Sequence, residues 1–226
     1  MNRHEGATVR LPFARDAAPE LISTTLVVLG LWFGWFRSHV ALLLVVAVLA
    51  TLIWLGLLFF MRDPRRTPPV EQGVFLAPAD GRVMAIDQVK EANFVGGPAL
   101  RIAIFLSLFD VHVNRSPMAG TVRWVHHVPG RFLQAFREEA SQVNEFNEVG
   151  LEDGATRILV KQIAGILARR IVCTVGIDDP VRAGERLGMI KFGSRVELFL
   201  PPECEVRVTP GEQVWGGLSI VASRRS

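Results

Sequence analysis

The step Gly193-Ser194, inside the string Leu187-Gly188-Met189-Ile190-Lys191-Phe192-Gly193-Ser194-Arg195, is a place where a chain can cut itself. A serine hydroxyl that attacks the carbonyl of the residue before it turns an amide into an ester. β-Elimination then leaves a carboxylate on Gly193 and dehydroalanine at 194. Hydrolysis of that residue gives a pyruvoyl group, a ketone built into the chain. Glycine suits the leaving side because it has no Cβ to block attack and tolerates strained backbone. An unassisted hydroxyl is a poor nucleophile and needs a positioned base. Histidine fits that task, since its pKa lies near neutrality. The chain holds five histidines. His112 stands two residues after Asp110, so on a strand both would face one side. His126 and His127 are adjacent, and on a strand they would face opposite sides. Asp80 precedes Gly81, a pair that unaided reads as a turn.

Three of these segments together resemble the phosphatidylserine decarboxylase proenzyme family. Phe192-Gly193-Ser194-Arg195 resembles its processing site, Ala77-Pro78-Ala79-Asp80-Gly81-Arg82-Val83 its P-A-D-G segment, and Phe109-Asp110-Val111-His112-Val113-Asn114-Arg115-Ser116-Pro117 its D-x-H segment. The resemblance runs over about residues 68–222, in the family's order, and is to the short, compact form. It implies cleavage into chains 1–193 and 194–226 that stay together as a heterodimer, with a dimer of these as a further assembly. It implies Ser194 as the pyruvoyl precursor, His112 as base and Asp80 as the residue that orients the imidazole in a triad-like arrangement. Asp110 is the alternative orienter. Many longer members carry a second histidine three residues after the first, where this chain has Arg115. Either His112 serves both processing and decarboxylation, or Arg115 takes the substrate's phosphate or carboxylate by paired hydrogen bonds. The ketone would take the electron-sink role that pyridoxal phosphate plays elsewhere, so neither pyridoxal phosphate nor a metal is expected. The implied reaction converts phosphatidylserine to phosphatidylethanolamine and CO₂. An ether-linked archaeal serine phospholipid is the alternative substrate. The rival class is a non-enzymatic, membrane-anchored adaptor of barrel-sandwich type. A serine hydrolase fits less well, because Phe192-Gly193-Ser194-Arg195-Val196 lacks the second glycine of a nucleophile elbow.

The elements that must position these residues are of two kinds. Half of the chain is hydrophobic and mean hydropathy is +0.31, and the cause is local. Val40–Met61 carries no charge and as a helix would reach about 33 Å, enough to cross a bilayer core. Leu21–Phe36 is a second uncharged run, and only Arg37-Ser38-His39 separates the two. The pair reads as a membrane hairpin, spanning or monotopic, with Trp32, Trp35 and Trp54 suited to the interface. Arg3, Arg10 and Arg15 precede it and Arg62, Arg65 and Arg66 follow it. Positive flanks favour the cytoplasm, which predicts a catalytic domain on the cytoplasmic side of the cell membrane. The last three arginines are topology determinants or headgroup contacts. With net charge +3 and no clustering of basic residues with aromatics, nucleic acid is not an expected partner. Cys173 and Cys204 lack metal-ligand spacing and should be reduced and buried.

Residues 1–20 read as a poorly ordered arm, 21–61 as the hairpin, 62–69 as a Pro-rich linker and 70–226 as the self-processing domain. That domain reads as mainly β and barrel-sandwich-like, with few short helices. Strands are predicted over Arg82–Val89, Arg101–Leu106, Thr121–Val128, Thr156–Ile163, Arg170–Val175, Arg195–Leu200 and Glu205–Val208. Helices are predicted near Ile163–Arg169 and Phe132–Glu139. Two stretches, Val181–Gly188 and Val208–Gly216, echo each other in a V-x-x-G-E-x-[LV] pattern whose Gly-Glu steps read as hairpin turns. Ser194 lies between the echoes, so the strands after it should be woven into the sheet.

Overall fold

The computed structural model describes residues 12–135, 137, 139–166, 170–191 and 194–225. The chain divides at Arg65–Arg66 into two compact units.

The first unit is built on two helices, α1 (Ala18–Ser38) and α2 (Ala41–Phe60). Both are long and apolar enough to cross a membrane. The reversal between them needs a left-handed residue, and His39 takes it at φ 52°, with its N–H bonded to the Trp35 carbonyl at 2.7 Å. Two reciprocal bonds lock the helices: the Trp32 indole N–H donates to Thr51 Oγ1 at 3.0 Å, and that of Trp54 to Thr25 Oγ1 at 2.9 Å. The indoles of Trp32 and Trp54, read from the sequence as suited to the interface, thus each find a partner on the facing helix. The arm expected to be loose is also partly held: Ala14 N–H bonds the Met61 carbonyl at 2.9 Å and Asp63 N–H that of Pro12 at 2.7 Å. Residues 1–11 lie outside the described residues.

The second unit is mainly β. Strands β2 (Gly81–Glu91), β3 (Gly97–Leu106), β5 (Gly120–Val128), β6 (Phe146–Asp153), β7 (Thr156–Ala164), β9 (Pro180–Val181), β11 (Ser194–Leu200) and β13 (Gln213–Val214) make one curled, antiparallel sheet in the order β13-β2-β3-β11-β7-β6-β5-β9. Two three-stranded sheets flank it. One has β10 (Arg186–Lys191) between β4 (Val113–Arg115) and β8 (Arg170–Cys173). The other has β14 (Ile220–Ser223) between β1 (Val74–Leu76) and β12 (Glu205–Val206). The core fills the curl with Ile102, Ile104, Val160, Val196, Leu198 and their neighbours.

β11 is buried along its whole length. Val196, Leu198 and Leu200 face the core, and the alternating set Arg195, Glu197 and Phe199 faces the other way. On that second face Arg195 and Glu197 form a buried ion pair at 2.5 Å, and Arg101 of β3 approaches Glu197 at 3.4 Å. The segment after the Gly193-Ser194 step thus supplies a central strand, an edge strand and the middle of a small sheet, so two cut pieces would share one fold.

Three details differ from the sequence-based expectation. The segment near Ile163–Arg169 continues β7 through Ala164 instead of turning helical, and residues 167–169 lie outside the described residues. The short helix expected over Phe132–Glu139 instead occupies α3 (Ala140–Val143). The two Gly-Glu echoes are equivalent turns but not hairpins. In each, Gly184 or Gly211 takes a positive φ of 74° or 90°. The Glu185 or Glu212 carboxylate accepts from the N–H of Arg182 at 2.8 Å or Thr209 at 2.9 Å. The strands they join pair elsewhere, β9 with β5 and β10 with β4 and β8.

Candidate functional site

Ser194 opens β11 in register with Leu106 of β3 and Ala164 of β7. Alternation from Val196 and Leu198 turns its side chain to the core face. It is fully buried, and its Oγ has no hydrogen-bond partner among the described residues. A buried hydroxyl left unsatisfied is costly and calls for an explanation in function. Phe192 and Gly193 lie outside the described residues, so the cleavage partner of Ser194 carries no geometry here.

From Leu106 the chain turns through Ser107–Asp110 and reaches His112 before entering β4. His112 is fully buried, and its carbonyl accepts from Ile190 N–H of β10 at 3.2 Å, four residues before Ser194. Both ends of this path are therefore tied to the strands that flank the Gly193-Ser194 step. The His112 ring is oriented by main chain: Nδ1 lies 3.0 Å from the Asp110 carbonyl oxygen. A carbonyl only accepts, so Nδ1 carries a proton, and in the neutral form of the ring the lone pair then lies on Nε2. That tautomer suits a base. The Asp110 carboxylate has other work. Its Oδ2 accepts from Ser107 N–H at 2.8 Å and Ser107 Oγ at 2.6 Å, and its Oδ1 from Gln213 Nε2 at 3.2 Å.

Asp80 ends the turn that feeds β2. Gly81 follows at φ 147°, and a Cβ there would come within 2.1 Å of the Phe105 carbonyl oxygen, so only glycine lets β2 start this close to β3. The buried Asp80 carboxylate is held in a two-pronged ion pair by Arg66 and accepts from Gly216 N–H at 2.8 Å. Arg66 also donates to the Gly216 carbonyl at 2.5 Å. Arg66, read from the sequence as a topology determinant or headgroup contact, is therefore an interior residue that ties the 77–80 and 215–217 turns together. Its type and place beside two other arginines hid this.

Arg115 is buried in β4, and its Nη1 donates to the Gly184 carbonyl at 3.2 Å, bracing one of the echo turns. His126 and His127 sit on β5, three strands from β11, or about 14 Å at the usual strand spacing. Their half-exposed rings lie beside Glu148 at 3.6 Å and Glu145 at 3.1 Å. They belong to the same eight-stranded sheet, three strands away from Ser194.

The sequence reading missed a row of buried amides. Asn147 Nδ2 donates to Gln162 Oε1 at 2.8 Å, and Gln162 Nε2 donates to Asn114 Oδ1 at 2.7 Å. Gln162 pairs with Val196, two residues from Ser194, and Asn114 is two residues past His112 on β4. The buried Asn114 Nδ2 has no hydrogen-bond partner among the described residues. The signal was available: Gln162 is a lone neutral amide in the strand Ile158-Leu159-Val160-Lys161-Gln162-Ile163-Ala164. Among the described residues, no group of three His, Cys, Asp or Glu side chains is placed to hold a metal ion.

Comparison with known proteins agrees with these motifs. The family model for phosphatidylserine decarboxylase matches residues 56–222. The chain is 44% identical over 197 residues to a phosphatidylserine decarboxylase proenzyme of Carboxydothermus hydrogenoformans, covering 83% of this chain and 92% of that one. It is 46% identical over 197 residues to one of Symbiobacterium thermophilum, with 87% of each chain covered. A third, of Syntrophus aciditrophicus, is 42% identical over 208 residues, covering 91% and 94%.

Proposed function

Because this chain belongs to the phosphatidylserine decarboxylase family, we propose that it is a proenzyme that cuts itself at Gly193-Ser194 and then decarboxylates phosphatidylserine to phosphatidylethanolamine. The observation that carries the reading is the buried Ser194 Oγ without a partner, at the end of β3 and β7 where His112 is tied to β10. In the cut, Oγ adds to the Gly193 carbonyl carbon and the C–N bond breaks, leaving an ester and a free amine at 194. The proton from Oγ goes to the lone pair of His112 Nε2 and from there to the departing nitrogen, which becomes the free amine. Loss of the Ser194 α-proton expels the Gly193 carboxylate. Water then replaces nitrogen at 194, releasing ammonia and leaving the ketone. The orphaned hydroxyl in a dry strand end fits a residue destined for this conversion.

The pyruvoyl group would supply an electrophilic carbonyl that takes up the electron pair released with CO₂. This chain's own residues would do the rest. β3 and β7 hold residue 194 in register. The Asp110 carbonyl keeps His112 in the Nδ1–H tautomer. The Arg195–Glu197 pair anchors the new chain start on the far face of the sheet. The chain acts as a heterodimer of its two products, and the two apolar helices hold it at the cytoplasmic side of the membrane, a side supported by the basic residues on both flanks. Arg115, whose Nη1 is engaged by the Gly184 carbonyl, would take a substrate phosphate through its other N–H groups.

Intact mass of the purified protein tests the reading. Chains 1–193 and 194–226 should appear, the second with a blocked, ketone-bearing start. Ser194→Ala should stay whole and inactive. Full-length protein alone in active membranes would overturn the proposal.

A further inference from the structure

We infer that the turns around Ser194 form a rim that seats in the headgroup region of a lipid bilayer. The inference rests on the decarboxylase reading, since a lipid-consuming site gives an apolar rim its purpose. β3 ends at Leu106 and β7 at Ala164, the two residues paired with Ser194. Leu108, Phe109 and Ile166 stand just beyond that end of the sheet. β13 pairs Val214 with Gly81, the first residue of β2, so Trp215 leaves the sheet at the same end. These four side chains are open to solvent, at 46%, 78%, 57% and 51% exposure. They are displayed by tied turns: Asp110 N–H bonds the Ser107 carbonyl at 3.1 Å, and Gln213, two residues before Trp215, bonds Asp110. A group of large apolar side chains exposed at one end of a fold marks an interaction surface.

The opposite end of the sheet is unlike this one. Among the described residues its β2–β3, β6–β7 and β11–β12 turns expose Ala92, Asn93, Asp153, Gly154 and Glu203 and no large apolar side chain, while Ile177 is exposed on the turn bonded to Val122 of β5. Arg82 and Arg170 are exposed cations at the rim end, placed to meet anionic headgroups. Tryptophan, phenylalanine and leucine beside arginine is the mixture that lies at the boundary of headgroups and acyl chains. The four side chains project from three separate turns. A fluid lipid surface admits such points singly, whereas a second protein would need a continuous matching face.

The test reads depth. In the full chain with both native cysteines changed to alanine, Phe109→Cys, Ile166→Cys and Asn93→Cys are each labelled with an environment-sensitive fluorophore. The labelled chains are reconstituted into phosphatidylcholine vesicles containing phosphatidylserine. Labels at 109 and 166 should shift to the blue and lose most of their emission to lipids carrying a shallow doxyl quencher, at a depth of about 5–10 Å. The label at 93 should do neither. Position 109 behaving like 93 overturns the inference. A blue shift at 109 without lipid quenching also overturns it, in favour of contact between copies. Self-cleavage is followed on a gel in the same samples. Cleaved chains whose rim is not quenched defeat the docking alone, and quenched chains that never cleave defeat the decarboxylase reading.

Discussion

Replacing Asp80 by Asn separates two roles for this residue. By resemblance it orients His112; by contact it neutralises Arg66. The two side chains are only 6% and 7% exposed. In Asp80→Asn the guanidinium would keep one acceptor and face a new N–H donor in place of the other, with no counter-charge. Breaking a buried pair on one side typically costs about 3–5 kcal/mol, because the remaining charge stays buried. For a domain of roughly 150–250 residues each kcal/mol moves the melting temperature by about 2–4 °C, so a drop of about 6–20 °C is expected. The measurement is thermal unfolding by circular dichroism in detergent, in a Ser194→Ala background where only one chain unfolds. Arg66→Met completes the cycle, and the double variant should cost about 0.5–3 kcal/mol less than the sum of the single ones. A variant that melts within a degree or two of its parent, with additive effects, would refute the ion-pair argument. If such a variant also fails to cleave when Ser194 is restored, Asp80 acts on the histidine after all.

Other perturbations probe neighbouring parts. His112→Ala should abolish the two-chain pattern on a gel, while His126→Ala and His127→Ala should cleave like the parent, since they lie about three strands, roughly 14 Å, from Ser194. A chain that starts at Arg66 should fold and cleave, and one that starts at Thr67 should yield less folded protein by circular dichroism, because it lacks the partner of Asp80. Burial, and then the neighbouring Glu203, push the Cys204 thiol up from 9.0 to about 11. About 100-fold less thiolate than at an ordinary cysteine follows at pH 8, so alkylation by iodoacetamide, followed by mass, should be slower by that order. The folded state holds this proton more tightly than the unfolded one, so the associated stability is complete below pH 9 and lost as pH rises through 11. A melting temperature unchanged between pH 8 and pH 11 would contradict it.

What the sequence determined by itself is what neighbouring residues can encode. The uncharged run Val40–Met61 specifies one membrane-length helix and the shorter run Leu21–Phe36 a second apolar helix, because the cost of a charge in an apolar medium is local. β-branched alternation bounded by turn residues marks Gly81–Glu91, Gly97–Leu106 and Ser194–Leu200 as strands. The Gly-Ser step and the Asp110–His112 segment name a nucleophile and a base through their resemblance to the family's motifs, since either alone also reads as an ordinary turn or core residue. Phe146–Asp153 went unread because Asn147, Glu148 and Gly150 break its apolar alternation, and they are tolerated only through Gln162, Lys161 and the Phe94 ring that meets Gly150. Tertiary structure alone decided who pairs with whom. Arg66 closes on Asp80 and on Gly216, 14 and 150 residues away in the chain. Gln162 reaches Asn114 across 48 residues. The orientation of His112 falls to a carbonyl, a group every residue carries and no side-chain pattern reveals. Such contacts depend on strand register and on which turns close against each other. Register is set by the whole sheet at once, so a single segment read alone has no access to it.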